Sequence, residues 1–187
     1  MEITKRNKFV EFLKNYWMYV CVGVTILTIA IIIGVVAGSQ NAIQTGNTNL
    51  EFSLPMNDAT IVKDYSSTHL QENPSLNQWE AHLSIDFSSE NSDVFAVLDG
   101  SVTSVSYDIL NGHVVEITHE NGFVSKYCSL AENPLVKEGD KVTAGQKIGS
   151  ASNSSNSEAD LGNHLHFTLY LNENPVDPNN YLDLQNK

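Results

Sequence analysis

The sequence predicts an all-β domain of antiparallel strands preceded by one N-terminal transmembrane helix. Three observations predict it. Trp17 to Ala37 is a run of twenty-one residues without a charged side chain. From residue 93 onward, short stretches rich in Val, Ile, Thr, Phe and Tyr alternate with Gly-, Asn- and Asp-containing turns. After residue 80 no apolar stripe at helical period interrupts them.

Residues 1–16 carry Lys5, Arg6, Lys8 and Lys14 against Glu2 and Glu11. The apolar run at 17–37 is long enough to cross roughly 30 Å of hydrocarbon at about 1.5 Å per residue. It also exceeds the roughly 7–15 apolar residues of a secretory leader, which favours a retained anchor. Val35-x-Ala37 fits a cleavage site and keeps the cleaved alternative open. No charge follows until Glu51, so the positive-inside rule keeps the N-terminus cytoplasmic and places the domain outside. Trp17 and Tyr19 suit the interfacial belt. Residues 38–50, polar and rich in Asn, Gln, Thr and Gly, read as a flexible tether. Residues 51–78 read as a membrane-proximal extension, with one strand around Ala59–Val62 and otherwise loop, including Asn73-Pro74.

The remaining residues, 79–187, form the principal domain. Val94–Leu98 and Ser101–Tyr107 are expected to form a hairpin at Asp99-Gly100. Asn111-Gly112 marks a turn, which makes His113 a strand-start residue rather than a ligand. Val114–Thr118 and Phe123–Tyr127 flank a turn at Glu120-Asn121-Gly122. Gly139-Asp140 and Gly145 punctuate a loop leading to a strand at Lys147–Ser150. The polar run Asn153–Gly162 then opens onto a final strand from His164 to Leu171.

Charge narrows the partners. Residues 38–187 hold six lysines, no arginine and twenty acidic groups, a difference of −14. Such a surface repels nucleic-acid phosphates; a solvated acidic face or a basic protein partner accounts for it. Cys21 lies mid-span and Cys128 in the outer domain, so no intrachain disulfide supports the fold. Cys128 reads as a small buried hydrophobe.

Two short motifs carry chemistry. In His164-Leu165-His166 the imidazoles stand two apart on a strand and share a face. His82-Leu83-Ser84-Ile85-Asp86 offers a second imidazole and a carboxylate. Two histidines and one carboxylate form a set that leaves zinc an open fourth position. The polar run before the histidine strand lies at the rim of such a site; it reads either as plain loop or as a wall of the groove, which would put Glu158 and Asp160 near the ion. His69 has no partner motif and receives no role.

Six blocks extend these motifs into a family resemblance over about residues 79–183. They are Trp79-Glu80-Ala81-His82-Leu83-Ser84-Ile85-Asp86-Phe87, Val94–Val102, Val115–Gly122, Val136–Gly149, Asn163-His164-Leu165-His166-Phe167 and Asn174-Pro175-Val176-Asp177-Pro178. In this order they resemble the LytM-type (lysostaphin-like) zinc endopeptidases. The resemblance implies an antiparallel β-sandwich with a groove and a Zn²⁺ held by His82, Asp86 and His166. It makes His164 a second catalytic histidine and His119 structural. Where active members usually read Tyr-Ala-His-Leu, this chain has Tyr127-Cys128-Ser129-Leu130, so Ser129 stands at the place of a catalytic histidine. Ser84 likewise replaces a usual glycine.

The Tyr-x-Ser-Leu block, Ser157–His164 and Ala59–Tyr65 are similar to the stage II sporulation protein Q group, a catalytically degenerate branch of that family in endospore formers. That branch implies a membrane-anchored interaction module in engulfment. Such a module sits in the forespore membrane facing the intermembrane space, opposite a membrane-anchored partner resembling stage III sporulation protein AH. The retained His82, Asp86, His164 and His166 keep the other reading in play, an active zinc endopeptidase cutting peptidoglycan.

Overall fold

The computed structural model describes residues 15–17, 19, 22, 26–28 and 50–184. Most of the expected transmembrane helix and nearly all of the tether lie outside the described residues, among which no helix is long and apolar enough to cross a membrane. Residues from Leu50 onward form one compact unit. The strands of this unit are β1 (Thr60–Lys63), β2 (Ser66–Asn73), β3 (Gln78–His82), β4 (Ile85–Ser88), β5 (Asp93–Phe95) and β6 (Gly100–Asp108). They continue as β7 (Gly112–His119), β8 (Phe123–Leu130), β9 (Lys141–Val142), β10 (Lys147–Ser150), β11 (Leu165–Leu171) and β12 (Asn174–Val176). Three short 3₁₀ turns complete the regular structure between residues 50 and 184.

All strand pairings are antiparallel. The main sheet has eight strands in the order β1-β4-β11-β8-β7-β6-β9, with β12 alongside β11. Two further two-stranded sheets, β10-β5 and β2-β3, complete the fold. The alternation of the strands divides the main sheet into two faces. Ile85 and Phe87 of β4, Leu165, Phe167 and Leu169 of β11, and Val115 and Ile117 of β7 belong to the core. Val94 of β5 and Ile148 of β10, both fully buried, belong to the same cluster and form part of its second layer.

The aromatic rings tie the site strands together from the core side. Phe167 packs against Phe87 and Tyr127, with ring centroids 6.4 and 5.3 Å apart. Burying one such side chain contributes about 1.5–3 kcal/mol. The Tyr127 hydroxyl accepts from the Val97 amide at 2.9 Å, which satisfies a polar atom that would otherwise be costly at zero exposure.

The hairpin expected at Asp99-Gly100 does not form. β5 ends at Phe95 and pairs with β10, whereas β6 pairs with β7 and β9. Residues 96–98 cross between the layers, their backbone taken up elsewhere: the Ala96 amide donates to Gln146 O and the Gly145 amide to Ala96 O, at 2.9 and 2.8 Å. Gly100 serves close packing instead of a two-residue turn. A Cβ there would stand 2.6 Å from Thr118 O and 2.7 Å from His119 Nδ1. The other expected strands appear: β6, β7 and β8 run longer than expected, β10 matches, β1 is shifted by one residue and β11 starts one residue later; the Glu120-Asn121-Gly122 turn is a single 3₁₀ turn with Asn121 at φ 59°.

Residues 51–78 are built into the unit. β1 pairs with β4, Met56 is a core residue, and the Phe52 ring packs 5.3 Å from Phe123 and 5.5 Å from Tyr181. β2, which carries no clear strand signal, pairs with β3.

Candidate metal centre

The face of the main sheet opposite the core carries the site. Asp86, between Ile85 and Phe87 on β4, pairs directly with His166, between Leu165 and Phe167 on β11. Period-two alternation turns both polar side chains away from the core that their neighbours fill. His82 arrives from the end of β3, four residues before Asp86. A β-bulge between Ile61 and Lys63 sets Lys63 opposite Asp86 at the sheet edge. Glu158 comes from the polar loop before β11.

Four side chains then converge. His82 Nε2 lies 3.2 Å from Asp86 Oδ2 and 3.4 Å from Glu158 Oε1. His166 Nδ1 lies 2.9 Å from Asp86 Oδ1 and 2.7 Å from Glu158 Oε2. One donor atom from each of the four fits within 4.8 Å of the others. The two imidazoles meet edge to face, centroids 5.4 Å apart.

Neighbouring groups fix the orientation of these ligand atoms. His82 Nδ1–H donates to Asp64 O at 3.0 Å, which leaves Nε2 as the nitrogen facing the cluster. His164 Nδ1–H donates to Gly162 O at 2.8 Å and turns its own Nε2 to within 3.6 Å of Glu158 Oε2. Lys63 Nζ donates to Glu158 Oε1 at 3.2 Å. Ser84 Oγ sits 3.1 Å from His82 Nε2.

The electrostatics follow from burying opposite charges together. Burial pulls the His166 imidazole down, but Asp86 and Glu158 more than offset it and lift it from 6.5 to about 10. His82, opposed by burial in the same way, is raised to about 9 by Asp86 and Glu158. His164 is raised by Glu158 and the Gly162 carbonyl against its own desolvation. Desolvation pushes both carboxyls up, but the facing imidazoles hold Asp86 and Glu158 below the ordinary carboxylate range.

The donor set fits a divalent metal ion. Both Asp86 oxygens, Glu158 Oε2, His164 Nε2 and His166 Nδ1 are buried, yet none makes a well-formed hydrogen bond. Buried polar groups ordinarily find partners. Here donor atoms of His82, Asp86, Glu158 and His166 cluster within 4.8 Å of one another, as ligands around an ion do. Two imidazoles and two carboxylates suit a borderline-soft cation such as zinc.

A groove of about 340 Å³ opens on this face, lined by His82, Ser84, Glu158, His166, Thr168 and Tyr170 among others. His164 and Ser129 are not in its wall. Ser129, fully buried at the end of β8, holds φ 58° and donates its hydroxyl to Ser152 O at 2.8 Å. Ser152 in turn bridges to His164. Of the two acidic residues expected at the rim, Glu158 enters the cluster and Asp160 does not; Asp160 bonds Ser75 through its side chain and its amide. Lys63 carried no signal of its own, because a bulge cannot be read from strand composition. Cys128 is the buried hydrophobe expected, with burial pushing its thiol up to about 12. His119 holds a structural place, bonded to Asp99 O and, at 2.7 Å, to Ser125 Oγ. His113 packs at a tilt against Tyr107, and His69 bonds Thr68.

The sequence and the fold have known counterparts. Stage II sporulation protein Q of Bacillus subtilis (strain 168) is 30% identical over 158 residues, covering 78% of this chain and 55% of that protein. A solved structure described as the SpoIIQ–SpoIIIAH pore-forming complex matches with a TM-score of 0.65 at 28% identity, covering 73% of this chain and 93% of that one. A zinc-containing peptidase from Vibrio cholerae matches with a TM-score of 0.57 at 27% identity, covering 68% of this chain and 39% of that one. The chain spans about half the length, or less, of the curated relatives it matches. The model of peptidase family M23 covers residues 80–178, more than half of the sequence and every residue of the cluster. The chain belongs to peptidase family M23.

Proposed function

We propose that this chain is a membrane-anchored M23-type domain that works as a non-catalytic interaction module in endospore formation. Residues 17–37 anchor it, residues 38–50 tether it, and the folded unit faces the space between forespore and mother cell. Its partner is a membrane-anchored protein resembling stage III sporulation protein AH. Similarity to stage II sporulation protein Q and to its solved complexes supports this assignment. The edge strand β1, with Ile61 and Val62 about two-fifths exposed, offers backbone for strand addition by such a partner.

The observation that carries the non-catalytic half is Ser129. In this reading Ser129 stands where active members carry a catalytic histidine, and its buried hydroxyl is committed to Ser152 O. A serine hydroxyl does not exchange a proton near neutral pH as an imidazole does. His164, the other catalytic position, is fully buried and faces Glu158 rather than the groove. The loss of one transition-state stabiliser costs on the order of 10²–10³ in rate.

Zinc in this account is held by His82, Asp86 and His166. When bound in an active member, it polarises the scissile carbonyl and acidifies its bound water. Here the chain's own residues support a structural part: they join the His82 turn, the β4 strand and the β11 strand. The second reading, an active zinc-dependent peptidoglycan endopeptidase, draws on that same intact ligand set.

Co-purification of the full chain with the AH-like protein encoded in the same genome tests the module. Complex formation that survives Ser129→Ala and His164→Ala is the expected result. A chain that binds no such partner contradicts it.

A further inference from the structure

The three-ligand site that the family resemblance implies has a fourth position for water. In this chain that position has a protein claimant. Glu158, 3% exposed, places Oε1 3.4 Å from His82 Nε2 and Oε2 2.7 Å from His166 Nδ1. Asp86 spans the same two nitrogens from the other side, at 3.2 and 2.9 Å. Each carboxylate thus spans both imidazoles, with a different oxygen toward each. With zinc–ligand bonds of about 2.0–2.2 Å, tetrahedral donors stand roughly 3.3–3.6 Å apart. One donor atom from each of the four residues lies within 4.8 Å of the others, a set that contracts toward this range around an ion.

The two Glu158 oxygens are treated differently. Oε1 accepts from Lys63, whereas Oε2, buried, has no hydrogen bond. The loop that carries Glu158 is fastened on both sides of it. Ser155 Oγ and Ser157 Oγ donate to Leu110 O at 2.7 and 3.0 Å, and the Asp160 amide donates to Ser75 Oγ at 3.0 Å. Two carboxylates also match the charge of a divalent ion, which matters where solvent is nearly excluded.

We propose that Glu158 is a fourth protein ligand, held in place by Lys63, that closes the metal site and makes it a structural centre with no coordination position open to water. The proposal rests on the assignment of His82, Asp86 and His166 as ligands. It extends that assignment to the loop at 153–162, so the ion joins four segments of the chain instead of three. The groove then ends on a coordinatively saturated metal.

The test uses the full chain purified in detergent, loaded with Co²⁺ as a spectroscopic stand-in for zinc and titrated with azide. The expected visible spectrum of the unmodified protein is that of a four-coordinate ion and does not change with azide. Glu158→Ala opens a position, so its spectrum shifts on the same titration. In chelator competition, Glu158→Ala and Glu158→Gln both weaken Zn²⁺ binding by more than the roughly 10–100-fold that loss of an outer partner costs. If Glu158→Ala does not fold, Glu158→Gln and the azide titration of the unmodified chain decide the matter. An unmodified spectrum that responds to azide, or Zn²⁺ affinity unchanged by both substitutions, overturns the fourth ligand while leaving the three-ligand site intact. A chain that takes up neither Zn²⁺ nor Co²⁺ overturns both.

Discussion

Asp86 and His166 are directly paired residues on adjacent antiparallel strands, and Asp86 Oδ1 stands 2.9 Å from His166 Nδ1. Each sits between core residues on its strand, so the backbone that carries it is fixed by the packing of Ile85, Phe87, Leu165 and Phe167. A metal ligated here reports directly on the packing of the sheet.

Chelation is therefore expected to lower thermal stability. Binding to the folded state alone contributes about 2.7 kcal/mol at a free zinc concentration a hundred times Kd. At about 2–4 °C per kcal/mol for a chain of this size, this is a fall of roughly 5–11 °C. Differential scanning of the full chain with and without a strong chelator measures it. His82→Ala should bind no zinc and show no chelator effect.

Placing an imidazole at position 129 should be costly. Ser129 is fully buried, and Ser129→His inserts a larger side chain while removing the bond to Ser152 O. Overpacking of this kind costs about 1–3 kcal/mol, which urea denaturation resolves. Wall hydrolysis by Ser129→His alone should stay at background and should need Glu158→Ala beside it. Hydrolysis by the single variant would show that Glu158 leaves the metal open.

Much of the site was legible from residue spacing. H-x-H on a strand and His82 to Asp86 four apart name three of the four convergent side chains, because strand alternation fixes their faces. Glu158 was legible only as a rim residue: the order of a polar loop says where it starts and ends, not which acid turns inward. Here Ser155 and Ser157 decide it through Leu110 O, a contact 45 and 47 residues distant. The same limit explains the Asp99-Gly100 turn. A two-residue hairpin signal is local, whereas the partner of β5 is β10, some fifty residues further along. β2 and Lys63 were missed for a related reason, since an exposed strand and a bulge leave no apolar period to count.

His119 supplies a pH test. Burial holds its imidazole below the ordinary 6.5, despite the Asp99 carbonyl. The unfolded chain thus binds the proton more readily, and the contribution of this residue is present above the unfolded pKa and lost as pH falls below it. His119→Asn retains a donor toward Asp99 O but does not titrate. The stability advantage of the unmodified chain over His119→Asn should shrink between pH 7.5 and 5.5, measured by urea midpoints at each pH; a constant difference would exclude the effect.

The anchor is checked by topology. A reporter fused after Lys187 should be active outside the cytoplasm and stay with the membrane fraction. Recovery of a soluble, N-terminally trimmed form would contradict a retained span at 17–37.

Release of peptides from purified cell wall by the full, zinc-loaded chain is the measurement that bears most directly on a non-catalytic role. The expected release equals that of the His82→Ala variant, which lacks the metal. Release above that level, abolished by His164→Ala, would show that Ser129 and Glu158 are no barrier and that the chain is a working M23 endopeptidase.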